Sequence, residues 1–281
     1  MKQLLTTISI YAALTLPTFA ERYERIASAG GDITEIIYAL GAGDKVIGVD
    51  STSGFPADVS EKKQIGYVRG LAAEGILSIN PDLLIGADDM GPPNVIENMK
   101  SAGLDVAIAP AGLGAERVPI KIKFVGEILG LEDEADQLIA QYKTEMQAVA
   151  KEREALTLSH KVLFILSVRD GAPIVGGRMT SANDIIEMAG GTNVAASFEG
   201  WKPMNAEAII AAAPDLILMT EAHSDRVGGK DAILKRPDIA LTPAVISGNI
   251  ATMDAMLLLG FGPRTPTAVS QLISVLQKIE L

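Results

Sequence analysis

Short apolar runs alternate with helix-like segments along most of this chain. Apolar runs at residues 46–49, 83–85 and 106–109 predict β-strands, and the unbroken run at 162–166 predicts a strand that is buried on both faces. Helical spacing of apolar residues between these runs, with glycines at the ends, predicts the intervening helices. Strands that alternate with helices indicate an α/β protein whose strands are mainly parallel. A glycine-rich stretch at 171–177 predicts a loop.

One charged segment is long enough to connect two lobes. Residues 132–157 contain no glycine or proline, begin with the acidic residues Glu132, Asp133 and Glu134, and carry Lys151 and Arg153 near their end. This order of charges complements the helix dipole and predicts one long α-helix. We interpret it as a stiff connection between two lobes. A solvent-facing helix of the first lobe is the alternative that periodicity leaves open.

An eleven-residue phrase occurs twice. Residues 73–83 read Ala-Glu-x-Ile, four further residues and Pro-Asp-Leu, and residues 206–216 repeat this pattern 133 positions later. A solenoid would repeat at about 20–50 residues, so the spacing predicts two similar lobes, which normally enclose a ligand cleft. Chance is the alternative, because helix, Pro-Asp turn and strand are common α/β punctuation. The predicted division is an N-terminal lobe at 21–131, a connecting helix at 132–157 and a C-terminal lobe at 158–281.

The first residues predict a secretory signal peptide at 1–20. Lys2 gives a positive start, an apolar stretch of 13 residues follows at 4–16, and the small residues Thr18 and Ala20 suit a cleavage site. The apolar stretch is shorter than the ~20 residues that span a bilayer. We therefore expect export, cleavage near Ala20 and a periplasmic location.

Net charge and cysteine content restrict the classes of partner and the compartment that the sequence favours. The formal net charge of −11 argues against nucleic acid or an anionic membrane as a partner, because both favour basic surfaces. The chain has no cysteine, which excludes disulfides, thiolate metal sites and a lipid anchor on cysteine. The absence of a lipidated cysteine favours the periplasm over a Gram-positive cell surface.

Catalytic signatures are scarce. The two histidines, His160 and His223, lack the spacing of a metal-ligand pair. The sequence has no Gly-x-Ser-x-Gly nucleophile elbow and no Walker loop. We therefore predict that the protein is not an enzyme.

Tyr67 stands in a segment that suggests metal chemistry. Residues 64–71 read Gln-Ile-Gly-Tyr-Val-Arg-Gly-Leu, which places a glycine before Tyr67 and Arg69 two positions after it. A phenolate oxygen suits ferric iron and occurs as an axial ligand of haem. A bound metal and a neighbouring cation both favour the phenolate over the phenol. A structural Tyr–Arg pair in a loop is the alternative.

This segment resembles the periplasmic haem-binding proteins that serve bacterial haem-import ABC transporters. The resemblance covers nearly all of the chain after residue 20. Its further parts are Ala29-Gly30-Gly31, Thr34-Glu35, Gly41-Ala42-Gly43, residues 46–50, residues 74–78, Gly171-Ala172-Pro173, Lys202-Pro203-Met204, Gly228-Gly229 and residues 259–264.

The resemblance implies a fold, a ligand and a partner. The fold is α/β, with two Rossmann-like lobes joined by a single long α-helix and a ligand cleft between the lobes. Ferric haem binds in the cleft through Tyr67, supported by Arg69. Glu74 and Glu207 match the carboxylates that dock on a dimeric ABC permease in the inner membrane, and we expect a monomer. The same fold binding a ferric siderophore or cobalamin is the alternative, although the Gly-Tyr-x-Arg segment favours haem.

One departure concerns the second axial ligand. Some members of this family carry a Ser-His-Gly segment after the first strand of the second lobe, whereas residues 167–170 here read Ser-Val-Arg-Asp. The iron would then be five-coordinate through Tyr67, with His223 as another candidate ligand. Arg169 and Arg178 are candidates for pairing with the haem propionates, because guanidinium groups suit carboxylates.

Overall fold

The computed structural model describes residues 23–112, 114–169 and 172–279. The predicted signal peptide at 1–20 lies outside these described residues. Of the helices within these ranges, none is both long and apolar enough to cross a membrane.

Strands and helices alternate in the first lobe. They are β1 (Ile26–Ala29), α1 (Gly31–Ala39), β2 (Val46–Val49), β3 (Lys63–Gln64), β4 (Gly66–Tyr67), β5 (Gly70–Leu71), α2 (Ala73–Ser78), β6 (Leu83–Gly86), α3 (Pro93–Ser101), β7 (Asp105–Ile108) and α4 (Arg117–Leu129). Five strands form a parallel sheet in the order β3-β2-β1-β6-β7. Strands β4 and β5 form a separate antiparallel hairpin. The predicted parallel arrangement is confirmed in this lobe.

The second lobe has a mixed sheet. Its elements are β8 (Lys161–Arg169), β9 (Ala172–Gly176), α6 (Ser181–Met188), β10 (Thr192–Asn193), β11 (Trp201–Pro203), α7 (Ala206–Ala212), β12 (Leu216–Thr220), α8 (Glu221–Arg226), α9 (Gly229–Leu234), α10 (Pro243–Ile246), β13 (Ile250–Met253), α11 (Ala255–Leu259) and α12 (Thr265–Leu276). The order is β11-β9-β8-β12-β13, with β10 also paired to β8. Strands β10, β12 and β13 join parallel ladders, whereas β9 and β11 are antiparallel to their neighbours.

The prediction of a loop at 171–177 was wrong for residues 172–176, which form β9. Pro173 and Val175 are buried and alternate with half-buried positions, as in a strand. Gly176 does not make a turn here. A Cβ atom at Gly176 would lie 2.9 Å from the Trp201 ring, so the glycine allows a close approach between neighbouring strands.

A single long helix, α5 (Glu132–Glu154), joins the lobes. It packs against α4 of the first lobe and against α12 of the second. Its buried residues Ala135, Tyr142 and Val149 repeat every seven positions and form one narrow stripe, while the charged side chains face outward. The helix ends at Glu154 rather than at residue 157; the lobe boundaries stay predictions.

The aspartates of the two copies of the repeated phrase make equivalent hydrogen bonds in their lobes. The carboxylate of Asp82 accepts hydrogen bonds from the backbone N–H groups of Glu24 and Arg25, at 2.8 and 3.0 Å, immediately before β1. The carboxylate of Asp215 accepts one from the backbone N–H of Lys161, the first residue of β8, at 2.8 Å. Each Pro-Asp turn therefore fastens the first strand of its own lobe.

The apolar core is shared between the lobes. One cluster of buried residues includes Ile26 of β1, Val149 of α5, Phe164 of β8 and Leu272 of α12. A smaller cluster, with Leu163 among its members, covers the other face of the second sheet. A large apolar interface opposes relative motion of two lobes, so this core favours a fixed cleft.

Candidate ligand-binding cleft

The carboxyl ends of strands from both lobes border one cavity. Gly30 follows β1, Ala87 follows β6 and Ala255 follows β13, and all three line a cavity of about 430 Å³. An adjoining cavity of about 550 Å³ shares Ala255, Thr52 and Met256 with the first. Ligands of α/β folds bind beyond these strand ends, and both volumes lie within the range of about 300–1,000 Å³ that is typical of small-molecule sites.

The β4–β5 hairpin carries Tyr67 to this cavity. Gly66 has a φ of 113°, and a Cβ atom there would lie 3.0 Å from the carbonyl oxygen of Gly70. Any other residue at this position would be strained. Val68 and Leu71 are buried and anchor the hairpin, whereas Tyr67 is 44% exposed and lines the cavity. The flanking residues therefore hold the phenol at the cleft.

Arg69 holds the Tyr67 side chain in place. Its guanidinium donates a hydrogen bond to the Tyr67 phenol oxygen and forms an ion pair with Asp89 at 2.5 Å. Burial opposes the positive charge, but the Asp89 carboxylate and Tyr67 outweigh this effect and raise the pKa of Arg69. Arg69 therefore stays positively charged beside the phenol oxygen. The Asp89 carboxylate thus contacts the Arg69 guanidinium, which in turn contacts the Tyr67 phenol at the cavity.

The first-lobe wall also carries a buried ion pair. Lys121 Nζ lies 2.5 Å from Asp32 Oδ2, and both side chains are nearly inaccessible, at 6% and 7% exposure. Both residues line the cavity. The two charges stabilise each other, because removal of either side chain would leave the other as an unpaired buried charge.

Arg117 lies between the lobes beside this pair. Its guanidinium carbon lies 3.6 Å from the centroid of the Phe261 ring, and Nη2 lies 3.5 Å from the Asp184 carboxylate. Burial lowers the pKa of Arg117, against the opposing influence of Asp184 and Asp32. The buried Nε atom has no hydrogen-bond partner among the described residues.

The second-lobe wall is mostly apolar. Leu166, Met256 and Leu259 line the cavity on this side, together with the indole of Trp201. Trp201 is 38% exposed, which is high for the largest aromatic side chain. The cleft is therefore asymmetric, with charges and a phenol on one wall and apolar groups on the other.

Comparison with known proteins agrees with this architecture. The family model described as periplasmic binding protein matches residues 26–257. The chain belongs to the periplasmic binding protein family. Membership of this family implies an extracytoplasmic location and a role in solute binding. The predicted fold class, with two Rossmann-like lobes joined by one long helix, is confirmed.

Two solved structures similar to this periplasmic binding protein bear the name periplasmic haem-binding protein. RhuT from Roseiflexus sp. RS-1, in apo form, is 39% identical, with a TM-score of 0.87 over 90% of this chain and 97% of that chain. BhuT in complex with two haems is 33% identical, with a TM-score of 0.86 over 91% and 98%.

Relatives found by sequence carry other names. YvrC of Bacillus subtilis (strain 168), an uncharacterised ABC transporter substrate-binding lipoprotein, is 29% identical over 91% of this chain and 80% of its own length. A vitamin B12-binding protein of Vibrio parahaemolyticus is 23% identical over 96% and 94%.

The structure brings some predicted site residues of this periplasmic binding protein to the cleft and leaves others away from it. Tyr67 and Arg69 line the cavity; among the described lining residues, Arg178 and His223 are absent. Arg178 donates hydrogen bonds to the Ala196 carbonyl at 2.6 Å and to the Glu199 carboxylate at 3.2 Å. The roles of Arg178 and His223 in haem binding stay predictions.

His223 is buried in α8, and neither ring nitrogen has a hydrogen-bond partner among the described residues. Burial lowers its pKa, and the charges of Arg226 and Arg236 add to this effect. The ring is therefore neutral at pH 7. Arg169 ends β8, and its side chain lies outside the part of the chain that the structure describes.

Glu74 and Glu207 occupy matching positions. Each lies in the first turn of its helix, α2 or α7, and each is exposed. The buried residues Ile76 and Ile209 stand two positions later and face the core in both copies. The repeat thus presents one carboxylate on each lobe, although their role in docking stays a prediction.

The sequence did not predict several residues of the cleft. A signal existed for Lys121, which stands on the apolar face of α4 with the buried residues Val118, Ile122 and Val125. A charged residue on such a face predicts a buried partner, but the sequence does not identify Asp32 as that partner. Trp201 is the single tryptophan of the chain, yet nothing in its neighbourhood along the sequence indicates a cleft.

Proposed function

We propose that this chain is a periplasmic solute-binding protein that captures ferric haem and delivers it to an ABC permease in the inner membrane. Membership of the periplasmic binding protein family and two haem-binding neighbours at 39% and 33% identity support this function. The observation that carries it is the phenol of Tyr67 at the cleft, hydrogen-bonded by Arg69.

Ferric haem matches the chemistry of this arrangement. A phenolate is a hard anionic donor that serves as an axial haem ligand. Arg69 donates a hydrogen bond to the phenol oxygen and so keeps that oxygen in place at the cavity. Asp89 fixes the guanidinium, so little reorganisation is needed when haem enters.

Iron held in this way is five-coordinate. The described residues on the opposite wall of the cavity include no histidine, tyrosine or lysine, and the thioether of Met256 on that wall is a soft donor that suits ferric iron less well than a phenolate does. Tyr67 is thus the axial ligand, and the spectrum should be that of high-spin tyrosinate-ligated iron. Arg117 and Lys121 line the same cavity as Tyr67, whereas Arg178 is not among its described lining residues.

The permease recognises one carboxylate on each lobe. Glu74 and Glu207 are exposed at equivalent helix starts and suit basic pockets on the two halves of a dimeric permease. The cleft carries out no covalent chemistry in this function, because the ligand is bound and released unchanged.

The mature protein is a monomer in the periplasm after cleavage near Ala20. N-terminal sequencing of the exported protein should begin near Glu21; retention of residues 1–20 on the exported protein would contradict this.

An absorption titration with ferric haem tests the function. The mature wild-type protein should bind one Tyr67-ligated haem with a high-spin spectrum, and Tyr67→Phe should lose this spectrum. Tyr38→Phe is the matched control, because the Tyr38 hydroxyl has no hydrogen-bond partner among the described residues and does not line this cavity. Saturable binding with the same spectrum in all three proteins would show that a residue other than Tyr67 binds the iron. Absence of saturable binding to the wild type would refute the haem function.

Cobalamin or a ferric siderophore is the second candidate ligand. A relative named vitamin B12-binding protein spans 96% of this chain, which favours cobalamin among these alternatives. Such ligands need no tyrosinate at position 67. Saturable binding of cobalamin, unaffected by Tyr67→Phe and without binding of haem, would establish this alternative.

A further inference from the structure

Trp201 is placed differently from the other large aromatic side chains of the second lobe. It opens β11 at the edge of the sheet and lines the same cavity as Tyr67, from the opposite lobe. More than a third of it is exposed, whereas Phe164 beside it is fully buried. An exposed indole in a cleft between lobes is an apolar surface without a protein partner on that side.

The inner edge of the indole is tightly supported. Phe164 meets it edge-to-face, with ring centroids 5.8 Å apart and an interplanar angle of 64°. Gly176, on the neighbouring strand, leaves room for the ring: a Cβ atom there would lie 2.9 Å from Trp201. These contacts fix the orientation of the ring and leave its other side open to the cavity.

The surroundings of Trp201 in the cavity are apolar. Leu166, Met256 and Leu259 lie on the same wall, while the charged groups lie on the opposite one. A ligand that satisfies both walls needs a polar or metal centre towards Tyr67 and an extended apolar surface towards Trp201.

We propose that Trp201 is a specificity-determining contact that packs against the aromatic macrocycle of the ligand from the side opposite Tyr67. This inference rests on the proposed function, because it assigns a second contact to the same haem. A porphyrin presents a large flat π-system, and a rigid indole provides apolar area and ring–ring attraction at little cost in side-chain entropy. Tyr67 thus selects the iron and Trp201 selects the ring around it.

The contact with Trp201 does not involve the metal. Metal-free protoporphyrin has the same π-system as haem but no iron for Tyr67 to bind. It should therefore bind more weakly than haem and depend on Trp201 but not on the Tyr67 hydroxyl. This difference separates the two contacts experimentally.

The test compares ferric haem and metal-free protoporphyrin as ligands of the mature protein and four variants. Trp201→Ala should weaken both ligands by about tenfold, which corresponds to about 1.4 kcal/mol. Trp201→Phe should recover most of this loss for both. Tyr67→Phe should weaken haem strongly and leave protoporphyrin within about twofold. Ile246→Ala removes an exposed apolar side chain outside the cavity, 74% exposed, and should change neither affinity.

Wild-type affinities that persist in Trp201→Ala for both ligands, while Tyr67→Phe loses haem, would overturn the role of Trp201 and leave the haem function intact. If Trp201→Ala weakened the binding of haem but not that of protoporphyrin, the proposed role of Trp201 would also be overturned, because the effect would then act through the iron. Failure of the wild type to bind haem would refute the haem function, and the inference with it. The wild-type protein has one tryptophan, so quenching of its fluorescence gives a second binding signal at this site.

Discussion

The ion pair between Glu35 and Arg264 joins the two lobes directly and offers a quantitative test of how firmly they are held. Glu35 belongs to α1 of the first lobe, and Arg264 immediately precedes α12 of the second. Two hydrogen bonds of 2.9 and 2.5 Å connect the guanidinium to the two carboxylate oxygens. The Arg264 guanidinium carbon also lies 3.8 Å from the centroid of the Phe55 ring of the first lobe.

Arg264→Ala should lower the free energy of unfolding by about 2–3 kcal/mol at pH 8. The Glu35 side chain is 5% exposed, so the substitution leaves a buried carboxylate without its cation. Removal of one partner from a fully buried pair costs about 3–5 kcal/mol. We expect the smaller loss of about 2–3 kcal/mol here, because 26% of the Arg264 side chain is exposed and water can replace part of the interaction.

The loss should depend on pH in a defined direction. Burial raises the pKa of Glu35 above its usual value of 4.5, and Arg264 partly opposes this. The folded state therefore keeps the proton to higher pH than the unfolded state, and stability falls as pH rises above about 4.5. Without Arg264 the pKa of Glu35 rises further. The difference in unfolding free energy between wild type and Arg264→Ala should thus be smaller at about pH 5 than at pH 8.

Urea denaturation at both pH values measures these differences. The double variant Glu35→Gln with Arg264→Ala should recover part of the loss, because no buried charge is left unpaired. Lys100→Ala is the control, since it breaks an exposed pair with Glu97 and should cost below about 1 kcal/mol. A loss for Arg264→Ala that equals the control, or one that grows towards pH 5, would refute the reasoning.

Three further predictions follow from particular residues. Gly66→Ala should lower the free energy of unfolding in urea by about 1–3 kcal/mol and weaken haem binding, because it strains the Tyr67 hairpin at a φ of 113°; Gly54→Ala, with open space around it, should leave the free energy of unfolding unchanged. Lys121→Met should cost about 3–5 kcal/mol by leaving Asp32 buried and unpaired, and addition of Asp32→Asn should recover most of it; equal stability of the single and double variants would contradict this. Glu74→Lys with Glu207→Lys should keep haem affinity but lose haem delivery to permease-containing proteoliposomes, whereas Glu97→Lys should keep both; delivery that survives the double reversal would contradict docking at these carboxylates.

The alternation of strands and helices was predictable because burial of a strand leaves an apolar run in the sequence. The order of the strands was not, since the same run fits any central position in a sheet. The stretch at 171–177 shows the limit of glycine as a loop signal. Gly176 is required for the approach of Trp201, which is a tertiary contact from a distant strand.

The anchor of the candidate site was accessible from the sequence, but its wider surroundings were not. Tyr67 and Arg69 are two positions apart, so local spacing brings them together. Glu35 and Arg264 are 229 positions apart, and only the folded chain pairs them. Trp201 reaches the cavity through the position of β11 in the sheet, which no local pattern specifies.

A crystal structure of the mature protein with ferric haem is the most direct test of the central claim. The account predicts haem in the cleft between the lobes, with the iron bonded to the Tyr67 phenol oxygen and Arg69 still beside that oxygen. Iron bound to another side chain, or haem bound outside this cleft, would contradict it.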